Sequence, residues 1–502
     1  MKRVLICALL ACAALLTAAS ASSAATYLPT RTDDPVPNGC QPRDCSLREA
    51  VIAANGAGNA GSSTILLRPG RHYKLTRPGP GEDAAFMGDL DVTSPLTVGT
   101  RGLIGERNRR RGTKLAVIDG NDIDRVFDIH GTWLRLIWTV VRDGHARRVT
   151  GDDGDGGAIR GGALLLHSKS RLVSNVADGN GGAFATELVP ATSLSGLMSN
   201  VLLKGNSAAA NGGAVYVEGS PRGNLPMSGV RLVHNSAGGS GGAVFGSGPV
   251  LNHSTIADNR SGGNGGGIAF NGSGGGVLWS TVSGNRAGGS GGGIETTGSA
   301  SGGQVGLYLA DSTIANNRAG ADGGGIGTSG GESTALVSGD TIARNGAGLG
   351  HRGGGLYQSV GDSISVQNTI LALNLAGAGG PDCFGESSGL ASMGHNLLGD
   401  PQGCLGFGAT DLFGGRFALG KLADNGGEGH GAYGRPLQTI ALGRDSRAID
   451  HALHISAFDE RGVVRGDRQD IGAYERVTRS YRFGSSRHQI RCTPSDRICA
   501  KS

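Results

Sequence analysis

The sequence predicts an all-β fold: a right-handed parallel β-helix solenoid with a short N-terminal capping helix and a C-terminal cap. Three observations predict it: glycine content, a long internal period, and apolar β-type residues that recur in register with that period. Glycine fills 94 of 502 positions. Helices do not tolerate that density, because each interior glycine costs about 1 kcal/mol relative to alanine. A strict third-position glycine is absent, which excludes collagen. The recurring Ile, Val and Thr exclude a disordered glycine-rich chain.

The period is read from Asn residues. Ile256-Ala-Asp-Asn259, Val282-Ser-Gly-Asn285, Ile314-Ala-Asn-Asn317 and Ile342-Ala-Arg-Asn345 each follow a Thr, at Thr255, Thr281, Thr313 and Thr341. Asn175, Asn206 and Asn235 close similar runs without the Thr, and Asn374 extends the series. Steps between successive Asn residues are 31, 29, 24, 26, 32 and 28 as far as Asn345. Phe184, Val215, Val244, Ile268, Ile294 and Ile326 each lie nine positions after their Asn, and Leu356 lies eleven after its own. Such a period with short β runs means one solenoid coil per repeat, with loops inserted where the length varies. Glycine is needed at the corners for positive φ and close backbone approach. The eight Asn residues are expected to form a structural ladder, their amides hydrogen-bonding from coil to coil. A calcium β-roll is rejected: the sixth position of its nonapeptide motif is Gly266 or Gly292 here, not Asp.

The ends read differently. Lys2 and Arg3 precede an apolar run from Val4 to Leu16 and small residues up to Ala25, the pattern of a secretory signal cut after Ala24. A lipoprotein cut before Cys12 is the alternative. No later segment is apolar enough to span a bilayer. Six cysteines remain beyond the signal, in three close pairs: Cys40 with Cys45, Cys383 with Cys404, Cys492 with Cys499. An even count in an exported chain favours disulfides, and the absence of CxxC argues against zinc. Ser46-Leu47-Arg48-Glu49 is a capping box that starts a short helix. Leu47, Ala50, Val51 and Ala54 form its apolar face, suited to plug the column end. Strands follow at Ile65–Leu67, His72–Leu75, Val117–Ile118 and Val126–Phe127. The expected divisions are a signal over 1–24, an N-terminal cap over 25–100, the β-helix over 101–375, a C-terminal cap over 376–475 and a basic tail over 476–502. The tail holds seven Lys or Arg against one Asp. It is expected to be a solvated, disulfide-pinned segment, with electrostatic attachment to acidic polysaccharide or anionic lipid as the alternative. The formal net charge of +5 does not imply a nucleic-acid partner.

Cys45-Ser-Leu-Arg-Glu-Ala50 is the complete hexapeptide of the CSLREA-domain proteins, which this chain resembles. Ile118-Asp-Gly120 and Asp124-Arg-Val-Phe-Asp-Ile129 are similar to that family's first coils. The C-terminal part resembles the choice-of-anchor Q domain at Asp382-Cys383, Gly394-His-Asn-Leu-Leu-Gly-Asp400, Gly403-Cys404, Leu422-Ala-Asp-Asn-Gly-Gly427, Ala448-Ile-Asp450 and Asp470-Ile-Gly-Ala-Tyr-Glu475. A departure is Asp459-Glu-Arg-Gly462, where the family has Asp-Gln-Arg-Gly. The resemblance implies a pectin-lyase-like β-helix that is secreted or at the cell surface. The glycine–apolar repeats also resemble polymorphic outer-membrane protein repeats.

β-Helix enzymes of the pectin-lyase type work on an outward strand face. Reading the strand after each glycine corner places Glu187, Tyr216, Glu218, Phe245, Asn271, Glu295 and Tyr357 outward, among smaller residues. Aromatics mixed with carboxylates suit stacking on sugars and accepting hydroxyl hydrogen bonds. These seven are the candidate carbohydrate contacts, and Glu187 and Glu218 on adjacent coils are the catalytic candidates, at about 4.8 Å between strands. Asp152, Asp153 and Asp155 in a glycine-rich loop are the metal candidate, with a solvated insertion loop as the alternative, and calcium is the sole cofactor left open. The expected function is a secreted or surface β-helix that binds extracellular polysaccharide or the cell envelope, or serves an adhesive or structural role. The alternative is a polysaccharide lyase or glycoside hydrolase on the same face.

Overall fold

The computed structural model describes residues 24–56, 62–79, 81–104, 112–186, 196–217, 225–272, 275–298, 306–426, 432–454 and 456–476. The apolar leader, Cys492, Cys499 and the basic tail beyond Arg476 lie outside the described residues.

Each central coil holds three strands and a short seam. In the coil entered at Val215 these are Val215–Val217, Leu225–Ser228, Arg231–Val233 and Ser236–Ala237. Each pairs in parallel with its counterpart one coil on: Val215 with Val244, Leu225 with Pro249, Arg231 with Thr255 and Ser236 with Arg260. The result is a right-handed parallel β-helix, the hand that parallel crossovers take. Three outward faces follow, here called first, second and third in chain order from the glycine corner. The first and second join through the long strands Phe127–Ile137 and Ile159–His167, which cross the corner between them. The third is a separate sheet of thirteen strands among the described residues.

Alternation along each strand sends one set of side chains inward. Phe184, Val215, Val244, Ile268, Ile294, Ile326 and Leu356, all fully buried, stack as one row of the core. Leu203, Leu232, Ile256, Val282, Ile314 and Ile342 stack as another. The glycine pair between the seam and the first face has two separate causes. Gly265 has φ +64°, and a Cβ on Gly266 would lie 2.3 Å from the carbonyl oxygen of Gly292 on the next coil. The first glycine serves the turn and the second the close approach of backbones.

The eight Asn residues stand in one buried line. Asn175 Nδ2 donates to Asn206 Oδ1 at 2.9 Å, and the same bond repeats through Asn235, Asn259, Asn285, Asn317, Asn345 and Asn374 at 2.9–3.1 Å. Each Oδ1 also accepts the main-chain N–H of the preceding Asn, and each Nδ2 also reaches a main-chain carbonyl. The line ends where Asn374 donates to Asp382 Oδ1 at 2.8 Å. A second buried line runs at the corner before the third face. It passes from Ser254 through Ser280, Ser312, Asp340 and Thr369 to Asn396, each main-chain N–H donating to the next side-chain oxygen. This line also ends on an aspartate, Asp411.

Both column ends are closed. At the N-terminus the helix Leu47–Gly56 buries Leu47, Ala50, Val51 and Ala54 against the core. Its capping box is complete: Ser46 N donates to Glu49 Oε2 at 2.7 Å, and Glu49 N to Ser46 Oγ at 3.2 Å. The Cys40–Cys45 disulfide staples its entrance. Arg48 is fully buried, pairs with Asp34 at 2.7 Å and donates to the carbonyls of Ala85, Met87, Gly88 and Asp89. It thereby fixes the loop that leads into the first face. At the other end the column does not stop at 375. Cys383–Gly385, Leu390–Gly394 and Leu397–Leu398 continue the three faces, and Leu412–Phe413 extends the third. The Cys383–Cys404 disulfide and Phe407 close the core there.

The chain beyond leaves the column and folds back along the third face. The antiparallel hairpin Leu419–Asp424 and Gln438–Leu442 lies on it, with Ile440 packed on Ala315 and Ala343. Ala448 and Ile471 pack on Ile370 and Leu397. The recurring Thr residues now have a role: Thr281 and Thr313 donate to the two oxygens of Glu460, and Thr341 Oγ1 accepts the Ala473 N–H. Burial pushes the Glu460 carboxyl well up, which favours its neutral form.

Asn285→Ala removes the acceptor for both the amide and the main-chain N–H of Asn259. Leaving those buried donors unpaired should lower stability by about 3 kcal/mol, read from the midpoint of chemical denaturation. An unchanged midpoint would mean the ladder contributes nothing to folding.

Candidate functional site

Strand register aligns one row of outward positions along the first face: Asp91, Asp128, Arg160, Ala185, Tyr216, Phe245, Ala269, Glu295, Gly327, Tyr357 and Phe384. Adjacent positions are one strand spacing apart, about 4.8 Å. Glu187 and Glu218, the catalytic candidates, lie outside the described residues.

Two aromatic pairs interrupt this row. Tyr216 and Phe245 stack with centroids 5.7 Å apart and planes 4° from parallel. Tyr357 and Phe384 stack at 6.4 Å and 11°, and the Arg352 guanidinium lies 4.7 Å from the Phe384 centroid. All four rings are half-buried. Their neighbours in the row are Ala185, Ala269 and Gly327. Ala185 and Ala269 carry only a methyl beside the outer faces of Tyr216 and Phe245, while the space over Gly327, beside Tyr357, is taken by the Glu295 carboxyl. Phe245 and Tyr357 are four rungs apart, about 19 Å. Asn271 is exposed beside this interval, with Thr297 and Ser329 partly so. Phe384 was not among the residues read from the sequence, because its coil follows the two-residue insertion and lacks the glycine–apolar signature.

Glu295, expected at the surface, is fully buried. The next rung is Gly327, and a Cβ there would lie 2.3 Å from Glu295 Oε2. The carboxyl therefore lies down in the space a side chain would fill. Its Oε1 accepts from Ser329 Oγ at 2.8 Å, while Oε2 is buried with no hydrogen-bond partner. Burial raises its pKa to about 8.

The N-terminal end of the row is charged. His130, two residues along the strand from Asp128, lies with Nε2 2.9 Å from Asp91 Oδ1 and 4.0 Å from Asp128 Oδ2. The imidazole is about one-third exposed at 32%. The hydrogen bond to Asp91 raises its pKa, and burial raises that of Asp91. Asp128 is held by Arg125 at 2.8 Å and by Arg160 at 2.5 Å. Among the described residues, Asp83, Asp91 and His130 are one group that brings three metal-ligating atoms within 4.8 Å of one another. The sequence reading passed over them, because Asp91 and His130 are 39 residues apart and precede the regular repeats.

The aspartates of the glycine-rich loop are engaged in separate bonds. Asp152 pairs with Arg125 and Arg160 and accepts the Gly154 N–H. Asp155 accepts from the main chain and side chain of Asn180. Asp153 is exposed, 3.8 Å from Arg160. Arginine thus occupies the place a cation would take at Asp152, and the three carboxylates do not converge.

The chain is similar to several known proteins. The Chlamydia polymorphic membrane protein repeat matches residues 200–218, a single coil segment. Among solved structures, pectate lyase Pel9A aligns with a TM-score of 0.38 at 13% identity, covering 91% of this chain and 98% of that one. The A-module of the mannuronan C-5 epimerase AlgE6 of Azotobacter vinelandii aligns with a TM-score of 0.27 at 14% identity, covering 78% of this chain and 100% of that one. No curated protein matches the chain significantly. The β-helix assignment rests on the strand register itself.

Glu295 supplies a pH test. Its pKa is about 8 in the fold against about 4.3 in an unfolded chain. The folded state therefore holds an extra proton between these values. That contribution is complete below about pH 4 and is lost as pH rises through 8. Glu295→Gln, which keeps the shape and removes the titration, should flatten the fall in melting temperature from about pH 5 to 9. Identical slopes in the two proteins would show that Glu295 titrates at its ordinary value.

Proposed function

We propose that the chain is a secreted or cell-surface β-helix that binds extracellular polysaccharide along its first face. The observation that carries this reading is the pair of aromatic stacks in one register row, each flanked by alanine or glycine. A sugar ring presents an apolar C–H face that packs on an aromatic ring, and a linear glycan would meet both stacks in turn. Asn271, Thr297 and Ser329 lie beside the interval as hydrogen-bonding groups for hydroxyls. The secretory signal and the oxidised cysteine pairs support an extracytoplasmic site of action, since disulfides persist in oxidising compartments. The CSLREA and choice-of-anchor assignments belong to the same proposal. They are supported by the positions of Ser46, Arg48 and Glu49 at the helix entrance and of Asp459–Glu475 on the third face.

Phe245→Ala with Tyr357→Ala should weaken glycan retention about thirtyfold at unchanged melting temperature, at about 1 kcal/mol for each aromatic contact. Affinity electrophoresis against acidic and neutral polysaccharides reads it, and equal retention of the double variant would count against the row.

His130 supports a second reading, a lyase or hydrolase on the same row. A partly exposed imidazole hydrogen-bonded to Asp91 can exchange a proton with a bound substrate. In this reading His130→Ala abolishes turnover of a polysaccharide panel, followed by unsaturated uronate absorbance and reducing ends, while Phe245→Ala weakens binding. Silence of the folded wild-type protein across the panel leaves binding as the function.

A further inference from the structure

The fold-back hairpin does not lie flat on the third face along its whole length. Its tip is pinned farther up the column, where Tyr433 N donates to the Gly229 carbonyl and the Tyr433 hydroxyl to the Lys169 carbonyl. The Arg171 side chain donates in turn to that hydroxyl. Between this pin and the packed stretch at Ile440 a cleft of about 560 Å³ remains open. One wall is the third face, with Arg231, Thr255 and Ser283. The other is the hairpin, with Arg435 and Gln438.

The two arginines set the character of this cleft. Among the described residues, neither guanidinium makes an ion pair or a side-chain hydrogen bond. Arg231 has its pKa lowered, first by burial and then by the charge of Arg435, against which Asp258 is a weaker opposing influence. Asp258 and Asp424 also line the cleft, but both are exposed, and Asp424 Oδ1 already accepts the Gly426 N–H. Two like charges held across a cleft by a pinned hairpin are relieved by an anion between them. Guanidinium groups present paired N–H donors to oxyanions, and the hydroxyls of Thr255 and Ser283 suit the remaining oxygens or a sugar hydroxyl.

We infer that the cleft between the third face and the C-terminal hairpin binds an oxyanion, a carboxylate or sulfate group carried on an acidic saccharide, through Arg231 and Arg435. The oxyanion is drawn from the cleft alone. The saccharide that carries it rests on the polysaccharide reading of the first face.

The test is calorimetric titration of the mature full chain with sodium galacturonate, galactose and sodium sulfate, repeated on Arg231→Gln with Arg435→Gln and on Phe245→Ala with Tyr357→Ala. Galacturonate and sulfate should bind and galactose should not. The arginine variant should lose tenfold or more in affinity for both anions while keeping the wild-type melting temperature, and the aromatic variant should bind them as wild type does. Anion binding unchanged in the arginine variant, or absent from the wild type, overturns the site. Sulfate binding without galacturonate binding overturns the saccharide and leaves a bare anion site. Neither result bears on the aromatic row, whose own variant is read with polysaccharide.

Discussion

Stacking coils at a single strand spacing leaves each corner facing the corner above it, out of reach of water. Every polar group buried there has to be satisfied by the neighbouring coil. The asparagine line meets this demand most completely: each amide takes two donors on its oxygen and gives both of its own hydrogens away, within one repeated geometry. The rest follows from it. Corners held at this distance exclude Cβ atoms from positions such as Gly266. Strands entering from such corners keep register, and register in turn aligns the outward rows on which any ligand would lie.

The same constraint explains which features were legible. Asparagine alone can both donate and accept through a planar amide at that corner, so one residue type recurs at a fixed offset and the coils could be counted. The second buried line asks only for an acceptor. Serine, aspartate, threonine and asparagine all serve, so Ser254, Asp340, Thr369 and Asn396 share no visible pattern. Asp340 accepts the Ser312 N–H in that line, and burial pushes its carboxyl well up. Helix and strands at the N-terminal end were legible from capping and alternation. The fold-back was not, because the threonines it covers read equally well as solvent-facing β residues.

Outward did not mean exposed, and that distinction separates the readable part of the candidate site from the rest. Tyr216, Phe245 and Tyr357 stand in the row where alternation puts them. Glu295 occupies an equivalent position, yet its fate depended on Gly327 one coil later, which left room for the carboxyl to lie flat. Side chains on a parallel sheet pack on the rung above and below, so the identity of a neighbour about thirty residues away decides exposure. The His130 end of the row and the Arg231 cleft depend on such distant neighbours entirely: one assembles from the first coils and a loop fixed by Arg48, the other from a hairpin returning to an earlier coil.

Both buried lines finish on an aspartate, Asp382 for one and Asp411 for the other. The second line passes through Asp340 on its main-chain N–H. In the asparagine line, by contrast, each side chain passes a hydrogen bond on, and a carboxylate side chain has none to give, so that line has a direction and a terminus. Upstream of that terminus every unit offers the same face to its successor that it receives from its predecessor. Units can therefore be gained or lost in the middle without leaving a donor or acceptor unmatched. The repeated geometry of the asparagine line thus places no limit of its own on how many coils stand above Asp382.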